Sequence, residues 1–216
     1  MLGRIVWGEG RKAHFHEERI MDLPVLVLTI PCALRREKHV ERYLSLLRER
    51  HVNRVLLPEG WEFWQSFRRQ GLQIVNTGAL RTALTPAWAV TSLQRKGLEP
   101  QQATLRLWGE RENASMYTVA RALCPMVRCL SIDVPGGSEI ARLLHAEFGM
   151  PVLPMRRGRA DLDLAFAPDP QLSNCTVCLK ECDVLPVEGG NMEILCVLWE
   201  NGRIFTEDIA VKADFS

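Results

Sequence analysis

Residues 103–134 constrain the chain most. Thr104–Trp108 (Thr-Leu-Arg-Leu-Trp) is an apolar strand candidate that runs into Gly109. A helical segment follows over roughly Asn113–Cys124, and a second strand candidate spans Val127–Val134 with Asp133 near its end. Strand, helix and strand in so short a span close as a parallel pair joined by a crossover helix. The rest of the chain has to be read around that unit.

The pattern continues after it. Pro135-Gly136-Gly137-Ser138 turns the chain into a helix that runs to about Phe148, with Ile140, Leu143, Leu144 and Phe148 as its apolar face. Ser138 suits a cap there and Gly149 a stop. Pro151–Pro154 and Asp161–Ala167 read as further strands, which makes half of a doubly wound parallel sheet. In the tail, Met192–Glu200 and Arg203–Phe205 flank Asn201-Gly202. Asn-Gly between apolar segments is a strong short-range hairpin signal. The tail is therefore expected to add an antiparallel hairpin.

The first ninety-odd residues also alternate strand and helix. Residues 1–20 read as a β-hairpin turning at Gly8-Glu9-Gly10, with His14 and His16 on one exposed strand face. Two histidines do not complete a zinc site. Pro24–Ile30 is a continuous apolar run, which marks a strand covered on both sides. A helix is expected over 34–50, a strand over Asn53–Leu57 and a helix over Trp61–Gln70, whose aromatic stripe reads as core. Leu72–Val75 reads as a short strand, and Thr85–Lys96 as a helix capped by Thr85 with Pro86 at its first position. The expected fold class is α/β: a small N-terminal α/β domain over residues 1–97, then a Rossmann-like parallel sheet with the hairpin over 98–216.

A chain of 216 residues can bury a substantial core. Lys plus Arg number 27 against 26 Asp plus Glu, so no net field draws in nucleic acid or a membrane surface. The short basic clusters Arg35-Arg36 and Arg156-Arg157-Gly158-Arg159 read as solvated faces. The longest apolar run, Leu23–Ala33, falls well short of the ~20 residues a membrane helix needs. The odd count of seven cysteines, several in apolar settings, and a start without a signal-peptide pattern point to a reducing, cytoplasmic setting.

The candidate binding residues lie at the first turn. A dinucleotide-binding turn takes the form Gly-x-Gly-x-x-Gly or Ala. Here it reads Gly109-Glu110-Arg111-Glu112-Asn113-Ala114. The first glycine and a permitted last alanine are present, but Arg111 stands where the middle glycine lets backbone approach a pyrophosphate. Glu110 and Glu112 stand where a phosphate would meet the positive end of a helix. Asp133 lies 24 residues after Gly109, about where an acid grips a ribose hydroxyl. On these residues the chain resembles the Rossmann-type dehydrogenases. The stretch from Asn76-Thr77-Gly78 through Lys96 is similar to the two-domain outline of shikimate-dehydrogenase-like proteins. The resemblance implies NAD(P) as cofactor, with Asp133 favouring NAD; no residues match a catalytic Lys/Asp pair.

Three further features stay open. The amides of Gly136 and Gly137 could hold an anion, or serve plain turn chemistry. Cys175, Cys178 and Cys182 could hold a metal, with Cys196 as a fourth ligand, or be free thiols. Asp161 and Asp163 share a strand face, where pairing with Arg156, Arg157 or Arg159 is expected. The expected function is that of a degenerate nucleotide-binding fold acting through a small anionic ligand, a nucleotide or a protein partner rather than by catalysis. The alternatives are an NAD(P)-dependent oxidoreductase and a metal-stabilised interaction module.

Overall fold

The structure, a computed structural model, describes residues 1–110, 112–149, 152–153, 160–166, 182–185 and 192–213. The chain forms two compact units, one of Met1–Thr77 with Asn191–Ile204, the other of Gly78–Gly190 with Phe205–Ser216.

The first unit is built on a five-stranded sheet. Its strands are β1 (Leu2–Gly8), β2 (His14–Ile20), β3 (Leu23–Pro31), β4 (Arg54–Leu56) and β5 (Gln73–Ile74), in the order β2-β3-β1-β4-β5. β1 is central and runs parallel to both β3 and β4. The hairpin expected over residues 1–20 does not form, because β3 lies between β1 and β2. The hairpin is instead β2–β3, turning at Met21 and Asp22, both with positive φ (46° and 63°) as a two-residue primed turn requires. The reason lies in the side chains. Val25 to Ile30 of β3 need cover on both faces, whereas the His, Glu and Arg side chains of β2 suit a solvated edge.

One face of this sheet carries Ile5, Leu28, Ile30 and Val55. Helix α1 (Glu37–Glu49) covers it with Val40, Leu44 and Leu47, spaced four and three apart, and α2 (Trp64–Arg69) adds Phe67. On the same unit lies α6 (Met192–Glu200), held by the Arg54–Glu200 ion pair and by Cys196 Sγ, which donates to the Asn76 carbonyl at 3.4 Å. The tail segment expected as a strand is thus a helix. Ile194–Leu198 are five consecutive buried residues, a run that fits either element. Gly202 is left-handed (φ 65°), and Arg203 N–H donates to the Leu198 carbonyl, so Asn201-Gly202 closes a helix rather than a hairpin.

The second unit opens with α3 (Gly78–Arg95). The helix starts seven residues before the expected cap. Thr85 Oγ1 donates back to the Arg81 carbonyl at 2.7 Å, and Pro86 lies inside the helix. Contacts place α3 in this unit, with the division after Thr77 rather than after Gly97, because Trp88, Ala89 and Leu93 enter the second unit's core. The sheet comprises β6 (Thr104–Trp108), β7 (Cys129–Asp133), β8 (Val152–Leu153) and β9 (Leu162–Ala165), in the order β8-β7-β6-β9 and parallel throughout. Numbered along the chain this is 3-2-1-4, the first part of the Rossmann order. Helices α4 (Ala114–Leu123) and α5 (Ser138–Phe148) follow β6 and β7; with α3 they share a core with Leu105, Leu107, Leu130, Ile132, Leu162 and Leu164. An antiparallel pair, β10 (Cys182–Leu185) with β11 (Ala210–Ala213), completes the described part, β11 packing on α3. No helix among the described residues is long and apolar enough to cross a membrane.

Candidate functional site

In an open parallel sheet a ligand binds beyond the carboxyl ends of the strands, where successive connections leave in opposite directions. In the second unit that place is the end of β6. The chain leaves Trp108 for α4 and β7 on one side, while β9 lies on the other. The turns at Gly109 and Gly136 both open there.

The first turn does not depend on its glycine. A methyl group on Gly109 would find Phe166 Cβ at 3.5 Å and Met116 Cε at 3.6 Å, ordinary contacts. Asn113 caps α4: Met116 N–H donates to its Oδ1 at 2.8 Å, and Ala114 is the first helical residue. Glu110 and Glu112 are exposed, and Arg111 lies outside the described residues.

The second turn depends on both of its glycines. Gly136 is left-handed (φ 83°). A methyl group on buried Gly137 would lie 2.7 Å from Ile132 Cγ2 and 2.9 Å from Val134 Cγ2, so this glycine serves close packing of α5 on β7. Gly137, not Ser138, is the cap residue, and no side chain bonds to the cap. The two turns meet. A methyl group on Gly136 would lie 3.3 Å from Glu112 Cδ and 3.4 Å from its Oε1. The Glu112 carboxylate therefore lies over the opening of α5.

The sheet face opposite the helices is polar. Arg106 grips Asp163 with two hydrogen bonds, Nε to Oδ1 at 2.7 Å and Nη2 to Oδ2 at 2.9 Å, and its Nη1 lies 3.8 Å from Asp133 Oδ2. Register explains the set: Arg106 faces Asp163 on β9, while Asp133 faces Trp108 one pleat further on. Asp133 itself is exposed at the mouth. Asp161 accepts from Thr104 N–H at 2.8 Å through Oδ2, and Lys96 Nζ donates to its carbonyl. Arg156, Arg157 and Arg159, the partners expected for these acids, lie outside the described residues. Sequence reasoning did not single out Arg106, although Leu-Arg-Leu in a parallel strand is a signal that one face is polar. Ser131 Oγ and Trp108 Nε1 on the same face are buried without a partner among the described residues.

The mouth is rich in acid. The exposed Glu110, Glu112, Asp133 and Glu139 lie in or beside the two turns. Hydrogen bonding to Arg142, then that residue's charge, holds the Glu139 carboxyl below its usual range.

Part of the cysteine set lies beyond the described part. Cys175 and Cys178 lie outside it. Cys182 begins β10, and Cys196 is buried in α6. Burial, assisted by the Glu147 carboxylate, pushes the Cys124 thiol up to about 11. His14 and His16 do stack on one face of β2 (5.9 Å), but no three potential metal ligands cluster among the described residues.

No protein-family model matches the chain, and no curated protein matches it in sequence. Several solved structures are similar to it in part, two dehydrogenases among them. One is the apo form of D-mandelate dehydrogenase from Rhodotorula graminis, 14% identical with a TM-score of 0.33 over 68% of this chain and 60% of that one. The other is L-tryptophan dehydrogenase from Nostoc punctiforme, 12% identical with a TM-score of 0.29 over 77% of this chain and 55% of that one. The chain spans between half and two thirds of the length of either protein. The second unit is Rossmann-like by its own strand order and parallel pairing.

Proposed function

We propose that the second unit is a Rossmann-like binding module that acts through a ligand or a partner protein rather than by dinucleotide-dependent catalysis. The observation that carries this reading is the Glu112 carboxylate over the Gly136 turn. A dinucleotide crossing from the first turn toward Asp133 would bring its phosphates against that carboxylate, with Glu110 close by in sequence. Like charges at such range repel, and the positive end of α5 already faces a negative group. A small anion seated at Gly136 and Gly137 would likewise have to move Glu112 aside. Thermal shift with NAD, NADP and mononucleotides tests the reading. No displacement of the melting temperature is expected with the dinucleotides, and a rise of several degrees would overturn it.

One observation favours a second reading, an NAD-dependent oxidoreductase of the shikimate-dehydrogenase-like outline. Asp133 stands exposed at the end of β7, the position from which an acid holds a ribose hydroxyl. Quenching or enhancement of nicotinamide fluorescence on mixing with NADH would support it.

A further inference from the structure

The first unit has a switch point of its own, and aromatic side chains pack there. The loop after β1 runs toward β2 and β3, whereas the loop after β4 runs through α2 to β5 on the opposite side. The space between the carboxyl ends of β1 and β4 is therefore a switch point, the usual ligand position in an open α/β sheet. Trp7, the penultimate residue of β1, stacks there on Trp61 from the loop after β4, at 5.7 Å between centroids and 18° between planes. Phe63 meets both rings edge-on, at 6.1 and 5.5 Å.

Two features exceed what a packed core needs. First, Nε1 of Trp7 and Nε1 of Trp61 are buried without a hydrogen-bond partner among the described residues, although Trp61 is only 7% exposed. Buried indole N–H groups ordinarily find an acceptor, and leaving one without costs about 1–3 kcal/mol. Second, Arg35, from the segment after β3, holds its guanidinium 5.0 Å above the Trp7 ring. It donates to the Gly60 carbonyl at 2.8 Å and pairs with Glu62 at 3.1 Å. The Glu62 side chain is 69% exposed, so this ion pair is weak and open to exchange with another carboxylate.

We infer that this aromatic corner binds an aromatic carboxylate. Its ring would lie against Trp7 and Phe63. Its carboxylate would replace Glu62 on Arg35 and, with the packed rings parted, accept from the indole N–H groups. Aromatic surface, one exchangeable cation and two unused donors suit an anion with an apolar body better than a sugar or a cation. The inference concerns the first unit alone, so its failure and that of the reading for the second unit are distinguishable.

The test follows the indole N–H signals of the intact protein by NMR, with Trp7→Phe and Trp61→Phe spectra supplying the assignments. Phenylacetate, phenylacetamide and acetate are the probes. A fragment of this size binds with a dissociation constant on the order of 1 mM. Phenylacetate should shift the Trp7 and Trp61 signals in a saturable manner. The neutral amide should bind roughly tenfold more weakly, acetate should shift neither signal, and Arg35→Gln should weaken phenylacetate by a similar factor. The inference is overturned if phenylacetate moves neither signal, or if acid and amide bind wild-type protein equally; the second comparison needs no variant.

Discussion

Glu112 reaches across from the first turn of the second unit to lie against Gly136 of the second, so close that a methyl group on that glycine would lie 3.3 Å from its Cδ. The two residues are on different βα turns and touch because β6 and β7 are neighbours. The contact places a carboxylate at the positive end of a helix, where a bound anion is ordinarily stabilised.

The three glycines of this corner separate by substitution. Gly109→Ala should leave stability within about 0.5 kcal/mol of wild type, since nothing there is closer than ordinary contact. Gly136→Ala should cost more than about 1 kcal/mol because its φ of 83° is left-handed. Gly137→Ala should cost the most, its Cβ meeting Ile132 and Val134 below 3 Å. Urea denaturation supplies the ranking, and a large loss at Gly109 would contradict the geometry.

Arg106 should behave as the clasp of the polar sheet face. Its fork on Asp163 is about one-third exposed on the arginine side, which moderates the effect. Arg106→Gln is expected to cost roughly 1–2 kcal/mol and Asp133→Asn roughly 0.5 kcal/mol or less. A double-mutant cycle of Arg106→Gln with Asp163→Asn should return positive coupling, and additivity would show that the fork contributes nothing.

Asn113→Ala should destabilise the protein by about 1 kcal/mol through loss of the bond from Met116 N–H. Asn113→Ser should recover most of that loss. Equal stability of all three proteins would deny the cap.

Cys124 should resist alkylation at pH 8, where a thiol pushed up to about 11 carries almost no thiolate. Exposed Cys32 should react readily; peptide mapping after brief iodoacetamide treatment distinguishes the two. The sign of the linked stability follows. The folded state holds this proton more tightly than the unfolded chain, so the contribution is present below about 9 and is lost as pH rises toward about 11. A melting temperature that falls more steeply across that range in wild type than in Cys124→Ala would match, and equal falls would contradict it.

Much of the second unit is legible in the sequence. The apolar strand Thr104–Trp108, the helix beginning near Asn113, the stop at Gly149 and the acid at the end of β7 each state their local conformation. The tail is not legible, because five consecutive apolar residues fit strand or helix and a left-handed glycine serves either a turn or a helix end. The pairing of β1 was hidden for a related reason: a turn-forming Gly8-Glu9-Gly10 suggests a local hairpin, while the burial needs of β3 decide the sheet order. Asp133 at the end of a strand and Gly136 in the turn before the next helix could be placed in the fold from the sequence. The Glu112–Gly136 contact and the Arg106–Asp163 fork could not, since both join segments distant along the chain and arise only once the strands are ordered.

Isothermal titration of the intact protein with NADH addresses the central claim most directly. With the Glu112 carboxylate over the Gly136 turn, the titration should give no saturable heat. A saturable one-to-one isotherm, strengthened by Glu112→Gln and weakened by Asp133→Asn, would contradict the binding-module reading and place a dinucleotide across this corner.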